Sequence, residues 1–274
     1  MGLAPKTQAA PDLAVRSARS PQEADRLSER DLPPGSGVGR QRWNHLLFAH
    51  WPVDPRQVQA TLPRGLWVDT FEGVAYVGVV PFFMERVRPV GLPALPWLSW
   101  FLELNVRTYV HDAQGHSGVW FYSLDCNQPI AVLIAQHFFN LPYFHARMSS
   151  RRRAGGIHFE SQRRGVAGGA HRFSWHPGDE SEPARLAVPG TLDFFLVERY
   201  RLFAADRAGR LRQGRVHHAP YRLHTPVVSE FSTEPARQAG FDLSGPPVSL
   251  LAARAVDVSI FKLREVRAGS VNGA

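Results

Sequence analysis

A mainly antiparallel β or α+β domain is the fold class this sequence predicts, and three observations predict it. Short runs rich in β-branched and aromatic residues recur along the chain, bounded by Gly, Pro, Asn and Asp turn signals. Only two or three short segments carry helix signals, and no internal repeat is visible. In residues 103–111, Glu103, Asn105, Arg107, Tyr109 and His111 alternate with Leu104, Val106, Thr108 and Val110. Successive strand side chains point to opposite faces, so this strand has one polar and one apolar face.

Taken in order, residues 1–40 are rich in Ala, Pro, Ser, Gly and charge, a composition that favours a flexible tail. Within it, Ser20-Pro21-Gln22-Glu23 carries a helix-start pattern, with a helix expected to about Arg30. Gly35, Gly37 and Gly39 then mark a linker, since no strand precedes them and no helix follows. The folded domain is expected over residues 41–268, followed by a short C-terminal tail at 269–274. Its first strand runs through residues 43–51, and Asp54-Pro55 starts a short helix with Val58 and Leu62 on its apolar side. Residues 66–71 and 74–81 read as a hairpin joined at Glu72-Gly73. A proline-rich crossover with Trp97 and Trp100 leads into the Glu103 strand, which Asp112 to Gly115 turns back into residues 118–125. Residues 129–139 start with proline and are apolar almost all round, so a buried helix is expected. Short strands follow around 143–149, 157–162 and 171–175. Another helix near Thr191 carries Phe194 and Phe195 inward, before strands at 200–203, 215–219, 221–228 and 253–263.

Length and composition narrow the function classes. With 274 residues, 44% of them hydrophobic, one large β-rich domain plus a tail is favoured over two small domains. The net charge is +8, and all but two of the 32 basic residues are arginine. They are spread along the chain except at Arg151 to Arg153 and Arg163-Arg164, which flank a glycine hairpin. A solvated basic loop is the simpler reading of those clusters; no zinc-finger or RNA-binding spacing accompanies them, so a nucleic-acid partner is disfavoured. The single Cys126 excludes an internal disulfide, and the cytoplasm is the default compartment. No apolar leader is visible and no run approaches the roughly 18 apolar residues of a membrane span, so a soluble protein is expected.

Specific chemistries can be tested against the residues. Twelve histidines include no His-Glu-x-x-His and no helix-spaced pair beside a carboxylate, so no metal site is expected. No Gly-x-Ser-x-Gly elbow is present, and Cys126 reads as a structural thiol. Schiff-base chemistry needs a lysine made nucleophilic by burial or by a neighbouring cation. Lys6 falls in the tail and Lys262 reads as a surface residue.

A resemblance covers about residues 43–266. Its carriers are residues 48–51 with Asp54-Pro55, Leu62-Pro63, residues 73–82, 103–110 and 118–125, Leu141-Pro142-Tyr143, residues 195–200 and residues 256–258. Together they resemble the bacterial family called domain of unknown function 2071, which is similar to acetoacetate decarboxylase. The resemblance implies a closed, cone-like antiparallel β-barrel with a central cavity. The decarboxylases carry a glutamate on a strand like that of Glu103, then a hairpin, a helix, and a proline followed by the Schiff-base lysine. Here Tyr143 follows Pro142, so a phenol stands at the lysine's expected position, and the resemblance does not imply decarboxylation through an imine. Where relatives usually have a helix arginine, this chain has Gln136.

The functional reading is therefore a small organic ligand, a carboxylate or oxo acid, held in the barrel without a cofactor. Arg107 is expected to pair its carboxylate or enolate, Glu103 and Tyr143 to move protons, and Asn105, Tyr109 and Gln136 to contribute to the ligand site. Three alternatives stay open. Glu103 and Arg107 form a purely structural buried pair; the protein is a Schiff-base-independent lyase, hydratase or isomerase of oxo acids; or the arginines at 147 and 151–153 bind an anionic macromolecule. The aromatic segment at 93–101 also offers a surface for a homo-oligomer.

Overall fold

The computed structural model describes residues 18–178 and 183–266; the expected tail at 269–274 lies outside them. In chain order the elements open with α1 (Glu23–Ser28), β1 (Gly39–Val53), α2 (Pro55–Thr61), β2 (Trp67–Val68), β3 (Ala75–Pro89), β4 (Phe101–His111) and β5 (Ser117–Cys126). Next come α3 (Pro129–Phe138), β6 (Tyr143–Arg153), β7 (Gly156–Arg163), β8 (His171–His176), α4 (Leu192–Val197), β9 (Arg201–Ala205) and β10 (Leu211–His217). The chain closes with β11 (Leu223–His224), β12 (Val227–Glu230), α5 (Glu234–Gln238), β13 (Ser249–Ile260) and β14 (Arg264–Glu265). The fold is thus mostly β sheet with a few short helices, as the repeated turn signals predict.

The strand pairings trace a circuit. From β4 it passes antiparallel to β3, β1, β13, β10 and β9 in turn. Strand β9 then runs parallel to β5, and β5 returns antiparallel to β4. A second limb leaves β5 through parallel β6 and continues antiparallel through β7, β8 and β12. The sheet is mainly antiparallel, and these two pairings are its parallel ones. The one between β5 and β6 follows from the chain between them, because a parallel return needs a crossover and α3 supplies it.

Alternation along the strands builds two cores. Leu46 and Phe48 of β1 pack inside the circuit with Val80, Phe82, Phe194 and Phe195. Leu47, Ala49 and Trp51, one residue out of step, pack with Leu104, Val106, Phe159 and Trp175 between the circuit and the second limb. Strand β4 is consequently buried along its entire length, polar face included. Glu103, Asn105 and Arg107 on that face turn toward the interior of the circuit.

Several local expectations need correction. Residues 19–31 are anchored and do not form a free tail. Arg26 donates both guanidinium nitrogens to Asp69 at 2.6 and 2.7 Å. Glu29 is buried and meets Arg201 at 2.7 Å and Arg215 at 3.2 Å. Helix α1 is capped by Gln22, not Ser20, because Asp25 reaches back to the Gln22 amide at 2.8 Å. Glu72 and Gly73 do form a tight turn, both with positive φ, but β2 pairs with β4 and not with β3. Helix α3 is not buried: Val132 is its buried residue, whereas Leu133 and Phe138 are 59% and 73% exposed. One flank of α3 lines an interior cavity and its outer face is exposed, so an all-round apolar sequence here does not mean all-round burial. Helix α5 was not anticipated, since its five residues are too few to show a period.

Candidate functional site

Inside the circuit lies a cavity of about 340 Å³. Strand β4 contributes Phe101, Glu103, Asn105 and Arg107 to its wall, the residues of one face in unbroken alternation. Tyr143 enters from the first position of β6, and Arg199, Arg201 and Tyr221 also line the wall. The remaining wall is largely apolar, with Trp43, Leu46, Phe82, Met84 and Val216 among its residues.

Glu103 and Tyr143 form a direct pair. The Tyr143 phenol donates to Glu103 Oε2 at 2.8 Å. Burial pushes the Glu103 carboxyl up to about 7, against the opposing effects of the Tyr143 and Asn105 hydrogen bonds, which favour the ionised form. Burial and then the neighbouring Glu103 charge hold the Tyr143 hydroxyl well above the ordinary tyrosine range, so it serves as a donor and keeps its proton. A carboxyl that changes charge near neutral pH can take or give a proton at this wall.

Arg107 stands apart from that pair. No carboxylate within ion-pair distance of it is found among the described residues, and its guanidinium reaches only the Leu196 carbonyl, at 3.4 Å. Its Nε has no hydrogen-bond partner, and the group lies 5.5 Å from the Phe48 ring centre and 5.8 Å from that of Tyr109. The structural Glu103–Arg107 pair held open above is therefore not formed: Glu103 turns to Tyr143. Arg199 and Arg201 have carboxylates of their own, Asp69 at 2.7 Å and Glu29 at 2.7 Å. The polar end of the cavity thus holds a buried cation without a counter-charge from these carboxylates.

Two expected site residues lie elsewhere. Tyr109 is fully buried behind the wall, with its hydroxyl 2.7 Å from His50 Nε2. Burial, and then the charge of Arg107, keep His50 well below the usual histidine range, so the imidazole is neutral. Gly78 makes room for this pair, because a Cβ there would sit 3.0 Å from His50 and 3.5 Å from the Tyr109 hydroxyl. Tyr109 is displaced from the cavity because the His50 and Phe195 rings take up its face. Gln136 is exposed on α3 and donates to the Tyr143 carbonyl at 2.7 Å, so it fastens the helix to β6 and does not reach the cavity.

Arg199, Arg201 and Tyr221 were not anticipated in the wall. The signal was present, since Arg199 and Arg201 are two residues apart beside an apolar strand and so share a face. What the sequence did not reveal was which way that face turns. Among the described residues no group of three or more metal-ligating side chains is found. Cys126 is buried with its thiol pushed far up by burial, and Lys262 is exposed on the surface. The basic clusters are partly used by the fold: Arg163 pairs with Asp125 at 2.7 Å and Arg152 lies 5.5 Å from the Phe83 ring centre. Among the described residues no helix is long and apolar enough to cross a membrane.

This strand arrangement has parallels among solved structures. An acetoacetate decarboxylase-like enzyme from Sphingomonas wittichii RW1 superposes with a TM-score of 0.58 at 16% identity, covering 86% of this chain and 98% of that one. Acetoacetate decarboxylase from Legionella pneumophila gives 0.59 at 14% identity, covering 92% and 98%. The enduracididine biosynthesis enzyme MppR, in complex with pyruvate, gives 0.55 at 12% identity, covering 86% and 93%. At these identities the likeness establishes an acetoacetate decarboxylase-like fold. Within that class, residues 40–257 match the family described as an uncharacterised conserved protein, domain of unknown function 2071, and the chain belongs to that family. It is also 36% identical over 244 residues to the uncharacterised protein YqjF of Bacillus subtilis (strain 168), covering 88% of this chain and 98% of that protein.

Proposed function

We propose that the protein binds a small organic carboxylate or oxo acid in the cavity, with Arg107 as the anion contact and the strand circuit acting as a closed barrel around the ligand. The observation that carries this reading is the buried Arg107 guanidinium, which lines the cavity with an unpartnered Nε and no carboxylate beside it. A buried charge without a partner is costly, and an incoming carboxylate lowers that cost through charge-assisted hydrogen bonds. Asn105, with its Oδ1 also unpartnered, orients the ligand. The neighbouring fold solved with pyruvate supports an oxo acid as the ligand class. Chemistry through a lysine imine is disfavoured, because Tyr143 occupies the wall position after Pro142 and Lys262 is exposed.

The test is a thermal-shift screen of small carboxylic and oxo acids on the wild type and Arg107→Met, each referenced to its own ligand-free melting temperature. At a ligand concentration of 100 times Kd, binding stabilises by about 2.7 kcal/mol. A shift present in the wild type and absent in Arg107→Met is the expected result; equal shifts in both would remove Arg107 from the binding role. The Glu103–Tyr143 pair favours a second reading, a Schiff-base-independent lyase, hydratase or isomerase that enolises an oxo acid. Turnover with a pH profile that moves in Glu103→Gln would support it, and no turnover across an oxo-acid panel would count against it.

A further inference from the structure

We infer that the ligand is an amphipathic carboxylate, its carboxylate deep at Arg107 and an aliphatic or aromatic tail running toward the mouth of the cavity. This rests on the anion reading of Arg107 and deepens it. The cavity is divided along β4: Arg107 and Asn105 mark one end and Phe101 the other, a separation of roughly 20 Å at strand spacing. Strand β3 runs antiparallel beside it, so Val80 lies opposite Asn105 while Phe82 and Met84 lie opposite Glu103 and Phe101. Beyond them Val87, Leu98 and Ile260 continue the apolar wall to the opening near Gly39, where β1 meets both Pro89 and Ile260. Apart from the Glu103–Tyr143 pair partway along, Gln41, and Arg88 near the opening, the cavity from Asn105 toward the opening is a hydrocarbon sleeve.

The cations at the polar end differ in their partners. Arg199 and Arg201 each meet a carboxylate, Asp69 and Glu29, that Arg26 and Arg215 share, whereas Arg107 meets none among the described residues, which makes it the first contact for an anion. Arg88 also lines the cavity, but at the mouth, where it is partly exposed and donates to the Arg86 carbonyl at 2.9 Å. A second carboxylate carried along β4 to the level of Phe82 and Met84 would meet hydrocarbon and the Glu103 carboxyl. An alkyl or aryl tail there is removed from water instead.

The experiment is isothermal titration of the full chain and of Arg107→Met with acetate, hexanoate, decanoate, phenylpyruvate, succinate and the uncharged decanol. Affinity is expected to rise from acetate through hexanoate to decanoate by about fourfold per buried methylene, until the sleeve is full. Phenylpyruvate should bind more tightly than acetate, succinate more weakly than hexanoate, decanol more weakly than decanoate, and the acids should lose affinity in Arg107→Met. A series flat in chain length but still lost in Arg107→Met overturns the apolar tail and leaves the anion reading standing. A rising series matched by decanol and unchanged in Arg107→Met overturns both, as does the absence of binding by every compound.

Discussion

Replacing Glu103 with glutamine should make the protein's stability respond differently to pH. In the folded protein the Glu103 carboxyl titrates near 7, against an ordinary value of 4.5. The folded state holds this proton more tightly than the unfolded chain does. Its stabilising contribution is therefore fully present below about pH 4.5 and is lost as pH rises through about 7. At about 1.4 kcal/mol per pH unit, that interval corresponds to roughly 3 kcal/mol. Glutamine removes the titration while still accepting the Tyr143 hydrogen bond, and its amide has the unpartnered Asn105 Oδ1 within the same wall. Wild type and Glu103→Gln should be unfolded in urea in parallel at about pH 5 and about pH 8. The glutamine variant should gain up to about 3 kcal/mol relative to the wild type between the two. Taking the difference between the proteins at each pH cancels the buried histidines His45, His50 and His218. Their values are lowered by burial, so their effect on stability runs the opposite way as pH falls. A difference that does not change with pH would refute the argument that burial sets the Glu103 titration.

Two further substitutions probe the scaffold behind the cavity. Asp69→Asn leaves Arg199 and Arg26 without their shared carboxylate, and chemical denaturation should show a loss of about 3–5 kcal/mol; a loss under about 1 kcal/mol would mean that the pair is not effectively buried. Tyr109→Phe leaves His50 Nε2 without its partner and should cost about 1–3 kcal/mol in the same assay. Ligand affinity should be unchanged in Tyr109→Phe, because Tyr109 does not line the cavity; a drop in affinity would return it to the site.

Much of the scaffold was legible because it is written in short-range signals. Asp54 before Pro55 capped α2 as read, with its side chain accepting from the Arg56 amide, and Thr191 capped α4 with Phe194 and Phe195 buried behind it. The alternation in β4 brought Glu103, Asn105 and Arg107 to one wall. Period alone does not say what lies opposite a face, however, and that is where the readings diverged. Tyr109 shares the face of Arg107 but meets His50, which lies 59 residues away in the chain. Helix α3 has the composition of a core helix, yet only one flank of it is covered. The parallel pairings of β5 and the roles of Arg199 and Arg201 depend on long-range closure, for which no local pattern exists.

The anchoring of residues 19–31 carries the folded unit upstream of the family match. The stretch matched to the family begins at residue 40, whereas the carboxylate shared by Arg201 and Arg215 comes from Glu29. Cutting the chain at the family boundary would strip a counter-ion from the cavity wall, so a shortened protein would report the chemistry of a different electrostatic object. Work on the cavity therefore belongs with a chain that retains this N-terminal segment and its counter-ion.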